Sequence, residues 1–120
     1  MAILYTMFVL KVHDIVNMKH FYQEVLALGT PVLDSNFWVE FQLSETTSFC
    51  LEQKENISVP TDDKQCLFEV SSIQDFLKRY CNCGYKISED LHVSSIFGIK
   101  VYSFLDPENN IFYIMDCKKQ

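Results

Sequence analysis

The sequence predicts an α+β fold built from two tandem modules, each with the order strand, helix and three strands (βαβββ). An apolar run rich in β-prone residues opens each half and leads into a segment with helical spacing. Each helical segment is followed by a glycine, Gly29 in the first half and Gly84 in the second. Short strand-like runs separated by turn formers complete each half. This order predicts helices on one face of a mixed sheet.

The first module is assigned to residues 1–57. Its opening strand is predicted over Ile3–Val12. Asp14 or Asn17 then caps a helix that continues through Leu28, where Gly29 ends it. Three short strands are predicted to follow: Pro31–Leu33, Phe37–Leu43 and Ser48–Gln53. The polar stretch 54–64 connects the two modules.

The second module is assigned to residues 64–120 and repeats the order of the first. A strand over Gln65–Val70 leads into a helix that Ser71 or Ser72 caps and that ends at Gly84. Three strands are predicted to complete the module: Tyr85–Ser88, Ile99–Leu105 and Ile111–Asp116. The turn before the last strand is Asp106–Asn110.

Composition narrows the class of protein. The 120 residues are 48% apolar and 22% charged, which suits one globular domain. A net charge of −6 argues against nucleic-acid binding and is compatible with a cationic ligand. No apolar run is long enough to cross a membrane. The 5 cysteines are odd in number and form no C-x-x-C pair, so we expect reduced thiols in a cytoplasmic protein.

Three segments resemble the vicinal oxygen chelate superfamily, the group of glyoxalases, bleomycin resistance proteins and extradiol dioxygenases. Asp14 followed by Phe21–Leu26 is similar to the family's opening motif, "D…FY…vLG". Phe76–Gly84 is similar to its second helix, and Asp106–Ile111 to its "DPDGN" turn. In their order, these segments span almost the whole chain.

The chain departs from the family pattern at two glycine positions, where it has Ala27 and Asn109. Asn tolerates the positive φ of such a turn, so the turn remains feasible. The resemblance implies one domain over 1–120, with sheets that curl around a cavity and helices on the outer face. It also implies a homodimer, by analogy alone.

Many members of this family bind a divalent metal in the cavity, through one ligand each from the first and last strands of both modules. The positions that match are Met7, Glu52, Gln65 and Tyr113. A thioether and a phenol are poor ligands for a hard divalent cation, and Glu52 and Gln65 alone make a weak site. We therefore expect no catalytic metal and no other cofactor.

Strand alternation predicts the neighbours of these positions on the cavity face. Trp38, Glu40 and Glu69 are expected there. The glutamates are candidates to act as acid or base or to attract a cation, unless they face solvent from a half-exposed sheet. Trp38 and Tyr113 are candidates to stack on a flat ligand, and ordinary core packing is the alternative.

The primary hypothesis is therefore a metal-independent protein that binds a small molecule, such as a cationic or aromatic compound that it sequesters. The alternative is a metal-dependent lyase or dioxygenase of the glyoxalase type, and the sequence leaves catalysis open. A third hypothesis is a structural role in which the fold serves only dimerisation. No nucleic-acid or membrane partner is expected.

Overall fold

Each half of the chain forms one helix and a four-stranded mixed sheet in the described part of the computed structural model. The two compact units are Met1–Thr61 and Asp62–Gln120. The structure describes four stretches, with only the backbone at 93–96 and 99: residues 2–54, 66–85, 93–96 and 99–116. The predicted α+β class and the repeated βαβββ order are confirmed.

The first unit has the strand order β1-β4-β3-β2. Strands β1 and β4 are parallel, and the other two pairs are antiparallel. The bounds of the elements are β1 Thr6–Val12, α1 Ile15–Glu24, β2 Leu33–Asp34, β3 Trp38–Ser44 and β4 Thr47–Gln53.

The second unit repeats this topology, with the order β5-β8-β7-β6. Strands β5 and β8 are parallel, and the remaining pairs are antiparallel. The bounds of the elements are β5 Cys66–Val70, α2 Ile73–Asn82, β6 Val93–Ile96, β7 Ile99–Leu105 and β8 Ile111–Asp116.

Helix α1 covers one face of the first sheet. Asp14 is its N-cap, because the Asp14 carboxylate accepts a hydrogen bond from the backbone N–H of Asn17 at 3.2 Å. The buried side of the helix includes Phe21 and Tyr22. The ring of Tyr22 lies 4.7 Å from that of Phe49 in β4, so Phe49 marks the face of the sheet that the helix covers.

Helix α2 covers its own sheet in the same way. The hydroxyl of Ser72 caps it by accepting from the N–H of Asp75 at 3.2 Å. The ring of Phe76 packs edge-on against Phe104 and Phe112, with centroids 4.8 Å and 6.2 Å away. These aromatic contacts form the core of the second unit.

Several predicted bounds are wrong, among them that of β2, which is Leu33–Asp34 rather than Pro31–Leu33. Helix α1 ends at Glu24 rather than Leu28, because Ala27 adopts a left-handed φ of 55° and turns the chain before Gly29, which itself has a φ of 85°. Tyr85 lies outside any strand, and the strand that follows α2 is Val93–Ile96. The first strand begins at Thr6, not Ile3. The rest of the predicted strand Tyr85–Ser88 lies outside the described residues.

The predicted turn before the last strand is confirmed in detail. The carboxylate of Asp106 is buried and accepts hydrogen bonds from the backbone N–H groups of Glu108 and Asn110, both at 2.9 Å. Asn109 has a φ of 64°, the left-handed conformation that asparagine tolerates. Asp106 thus organises the turn through hydrogen bonds from the backbone to its side chain.

None of the helices in the described part of the chain is long and apolar enough to cross a membrane.

Candidate functional site

Each sheet has a second face opposite its helix, named here the helix-distal face. In the first sheet, Phe49 faces the helix, so its neighbours Ser48 and Cys50 lie on the helix-distal face. Residues directly opposite each other on paired strands share a face. The helix-distal residues of β1, β4 and β3 therefore form three rows across the sheet: Met7–Ser48–Gln42, Val9–Cys50–Glu40 and Lys11–Glu52–Trp38.

This register brings Trp38, Glu40 and Glu52 into one triangle. Trp38 lies directly opposite Glu52, which places their Cβ atoms about 5 Å apart. Glu40 is two residues beyond Trp38 on the same strand and diagonal to Glu52, at about 7–8 Å. Strand alternation predicted Trp38 and Glu40 on one face, and the family resemblance added Glu52; the strand pairing puts all three on the same face of the sheet.

Glu40 is the most enclosed of the three, with 8% of its surface exposed. Its Oε2 accepts a hydrogen bond of 2.8 Å from the hydroxyl of Ser48, which is also buried. The Ser48 oxygen in turn lies 2.6 Å from the hydroxyl of Tyr5. A carboxylate that is removed from water needs such partners to keep its charge.

Cys50 lies directly opposite Glu40 and is fully buried. Burial, and then the charge of Glu40, raise the pKa of the Cys50 thiol from 9.0 to about 11. The thiol therefore stays protonated at neutral pH. Cys50 acts here as a neutral neighbour of the carboxylate and is a poor nucleophile.

Two of the four residues at the family's metal positions, Met7 and Glu52, belong to the first sheet, and their spacing does not suit two ligands of one ion. Met7 lies opposite Ser48, while Glu52 lies opposite Lys11, four residues further along the strand pair. At about 3.3 Å per residue this separates Met7 from Glu52 by about 13 Å, far more than two ligands of one ion allow. Within the described residues, no three His, Cys, Asp or Glu side chains lie close enough to hold a metal.

The helix-distal face of the second sheet is chemically different. Tyr113 lies between Leu67 on β5 and Ser103 on β7. Glu69 lies opposite Met115 and is exposed. Tyr113 and Glu69, the two candidates of this unit, therefore lie on the helix-distal face of their sheet. Their surroundings are more open than those of Glu40.

One predicted site residue, Gln65, lies outside the described residues. Conversely, the sequence interpretation gave no role to Ser48, the hydroxyl that binds Glu40. Strand alternation carried a signal for it, because Ser48 and Glu52 are four residues apart on β4 and must share a face. What the pattern alone did not show is the pairing that brings Ser48 next to Glu40.

Solved structures with this fold are numerous, although no family model and no curated protein matches the chain. A protein from the mobile metagenome of V. pseudocholerae is 19% identical, with a TM-score of 0.70 over 99% of this chain and 97% of that one. A virulence protein from Salmonella typhimurium is 23% identical, with a TM-score of 0.67 over 93% and 94%. A glyoxalase/bleomycin resistance protein from Catenulispora acidiphila is 14% identical, with a TM-score of 0.67 over 95% and 98%.

Proposed function

We propose that this chain, which has the glyoxalase/bleomycin-resistance fold, is a metal-independent protein that binds a small organic cation with an aromatic ring. The triangle of Trp38, Glu40 and Glu52 is the observation that carries the proposal. An indole offers its π-face to a ring or to a cation, and two carboxylates beside it supply the opposite charge. The net charge of −6 attracts cations from a distance.

The first sheet supports this proposal better than the second. Glu40 is buried with a hydrogen-bonded carboxylate, and Glu52 and Trp38 are half-buried. Charge–charge and cation–π contacts are stronger where water is partly excluded. Glu69 is exposed on the second sheet, so we assign it a weaker role and use it as a comparison.

The chain offers a direct probe, because Trp38 is its only tryptophan. Titration with benzylammonium at constant ionic strength should change the Trp38 fluorescence in a saturable way, and calorimetry should give the same Kd. Benzyl alcohol, which has the ring without the charge, should bind at least about tenfold more weakly, a difference of about 1.4 kcal/mol. Equal affinity for benzylammonium and benzyl alcohol would show that the positive charge of the ligand does not contribute to binding.

A matched pair of variants tests the site. Glu52→Gln should weaken benzylammonium binding about 3- to 10-fold, because it removes a half-buried charge beside Trp38. Glu45→Gln makes the same charge change at the exposed β3–β4 turn and should leave Kd within about twofold. Glu69→Gln should fall between these two values. The site is misplaced if Glu45→Gln weakens binding as much as Glu52→Gln does.

The alternative, a metal-dependent lyase or dioxygenase, predicts a bound ion. Metal analysis of protein purified without chelator should detect less than about 0.1 divalent ion per chain, because the donor set around Met7 and Glu52 is poor. A stoichiometric divalent ion would replace the binding proposal with the enzymatic one. The predicted homodimer stays a prediction, and light scattering of the purified protein tests it.

A further inference from the structure

A chain of two hydrogen bonds leads from the partly exposed Tyr5 to the buried Glu40. The Tyr5 and Ser48 hydroxyl oxygens are 2.6 Å apart, and Ser48 Oγ is 2.8 Å from Glu40 Oε2. Ser48 is 2% exposed and Tyr5 is 38% exposed. The hydrogen bonds lead from Tyr5, the residue before β1, through β4 to β3, so three segments of the first unit contribute to one polar group.

The direction of both bonds follows from the chemistry of the groups. A carboxylate only accepts, so Ser48 donates its single hydrogen to Glu40. The Ser48 oxygen is then an acceptor toward Tyr5, and the phenol must donate to it. Each donor strengthens the next, which holds the Glu40 carboxylate in one orientation.

This arrangement occupies only one of the two carboxylate oxygens. Oε2 accepts from Ser48, and no hydrogen bond to Oε1 is formed within the part of the chain that the structure describes. Every buried side-chain nitrogen or oxygen of the described residues has a hydrogen-bond partner. Oε1 is therefore not one of those buried atoms, and it is open to an incoming donor.

We infer that Glu40 selects ligands whose cationic group carries an N–H, that is, protonated primary or secondary amines rather than quaternary ammonium ions, and that Ser48 and Tyr5 are its positioning residues. This inference rests on the proposed function and names the chemistry of its ligand. An ammonium N–H can approach a carboxylate oxygen to about 2.7–2.9 Å, whereas methyl groups on a quaternary nitrogen keep the charge further away.

The neighbours of Glu40 make it the selective group. Cys50, directly opposite, keeps its proton because burial and the charge of Glu40 raise its pKa to about 11, so it adds no second charge. Glu52 is half-buried, and solvent screens its interaction with any cation. An exposed carboxylate discriminates poorly between amines and quaternary ammonium ions. When the ligand has methyl groups in place of N–H, water still donates to the exposed carboxylate. Water reaches a fixed, nearly buried carboxylate poorly, so the loss of the ligand's N–H should appear in full as a loss of affinity.

The test compares benzylammonium with benzyltrimethylammonium, which share a ring and a charge and differ in the N–H groups. We expect the unmodified protein to bind benzylammonium about tenfold more tightly, the equivalent of one good charge-assisted hydrogen bond. Equal affinity for the two probes would overturn the inference and leave the proposed function standing. Failure of both probes to bind would overturn both.

Variants separate selection from simple packing. Glu40→Gln and Ser48→Ala should each reduce the ratio of the two affinities from about 10 to about 1–3. Ser48→Thr keeps the hydroxyl and should keep the ratio near that of the unmodified protein. Tyr5→Phe keeps the ring but removes the hydroxyl, and it should lower the ratio partially. Ser44→Ala removes an exposed hydroxyl bonded to Thr47 and should not change the ratio. The positioning role of Ser48 and Tyr5 is contradicted if folded Ser48→Ala keeps a ratio near 10. It is also contradicted if the single variants Tyr5→Phe and Glu40→Gln both keep a ratio near 10.

Discussion

The two units share a backbone plan and differ on one face of each sheet. Phe49 and Phe112 occupy equivalent places, because each lies on the strand parallel to the first strand of its unit and faces the helix. Gln53 and Asp116 end these strands opposite Val12 and Val70. On the helix-distal faces the likeness ends. The first sheet carries the bonded pair Ser48–Glu40, and the second carries more exposed side chains.

This difference shows that packing against the helix constrains one side of each sheet in the same way in both units, while the composition of the other side varies between them. The helix-facing sides are aromatic in both units and satisfy the same packing requirement. A buried carboxylate such as Glu40 costs stability unless it is bonded, and packing gives no reason to keep it. The second unit also has a buried carboxylate, Asp106, but its hydrogen bonds order the turn before β8, whereas Glu40 lies on the helix-distal face of a sheet, which is why the proposed site is placed on the first sheet.

The largest expected effect tests the helix-facing sides of the sheets, which are packed alike in both units. Phe49→Ala and Phe112→Ala should each lower the free energy of unfolding by about 3–5 kcal/mol, because both rings are 1% exposed and leave a large cavity. Denaturant unfolding of the two variants measures this. Phe37→Ala, at a ring that is 68% exposed, is the control and should cost less than about 1 kcal/mol. If Phe112→Ala lowered the free energy of unfolding by less than about 1 kcal/mol, the second unit would not be packed as the first is.

The next effect concerns thiol chemistry. Burial is the main cause that raises the pKa of Cys50 and of Cys66 from 9.0 to about 11, so each holds about 100-fold less thiolate near neutral pH than an ordinary thiol. Alkylation at pH 8, followed residue by residue by mass spectrometry, should modify the exposed Cys81 well before these two. Rapid alkylation of Cys50 in the native state would mean that the helix-distal face is open to reagents.

The same shift gives a pH dependence of stability with a defined sign. The folded state holds the Cys50 and Cys66 protons more tightly than the unfolded chain does. Their contribution is therefore fully present below pH 9 and is lost as the pH rises toward about 11. The Tm of Cys50→Ser should fall less between pH 8 and pH 10 than the Tm of the unmodified protein. A parallel fall in both would contradict the shift.

Much of this architecture could be predicted from the sequence because it depends on local chemistry. Each N-cap, Asp14 or Ser72, is one of the two candidates that the pattern offered for its helix, and Asp106 orders its turn. Alternation placed Trp38 and Glu40 on one face, and the family resemblance was needed to add Glu52. The strand Val93–Ile96 was missed because short strands owe their existence to pairing, here with β7, rather than to their own residues.

The parts that could not be predicted depend on register between distant strands. The sequence aligned Glu52 with the family's metal position, but pairing puts Ser48, not Glu52, opposite Met7. Ser48 and Glu52 are four residues apart, and a shift by any even number of residues keeps the face and changes the neighbour, so alternation does not detect such an offset. The hydrogen bonds of Ser48 follow from the same register and were hidden for the same reason.

The ends of the two parallel strands differ in charge, which predicts a third, smaller effect. The amide oxygen of Gln53 accepts from the N–H of Ile15 at 3.0 Å, and the carboxylate of Asp116 accepts from the N–H of Ile73 at 3.2 Å. Gln53 also donates to the carbonyl of His13. Gln53→Ala and Asp116→Ala should each cost about 1–2 kcal/mol, since each leaves a first-turn N–H without its partner.

The effect of salt should distinguish the contribution of Asp116, which is charged, from that of Gln53, which is neutral. The carboxylate of Asp116 also interacts with the helix dipole, worth about 0.3–1 kcal/mol at low ionic strength, and salt screens that part. The cost of Asp116→Asn should therefore shrink between 0.05 M and 1 M NaCl, while the cost of Gln53→Ala should stay constant. Unfolding at both salt concentrations measures the difference. Identical salt dependence would show that the charge of Asp116 does not act on the helix.

The smallest effect compares the two non-glycine residues with positive φ, Ala27 in the first unit and Asn109 in the second. Their φ angles are 55° and 64°. A Cβ strains the left-handed conformation by about 1–2 kcal/mol, and asparagine bears this better than alanine because its side chain bonds locally. Ala27→Gly should therefore raise the free energy of unfolding by about 0.5–1 kcal/mol, after the extra entropy of an unfolded glycine is subtracted. Asn109→Gly should change it by less than about 0.5 kcal/mol. If both gained equally, the turn of the second unit would be as strained as that of the first, and the advantage of asparagine at Asn109 would be lost.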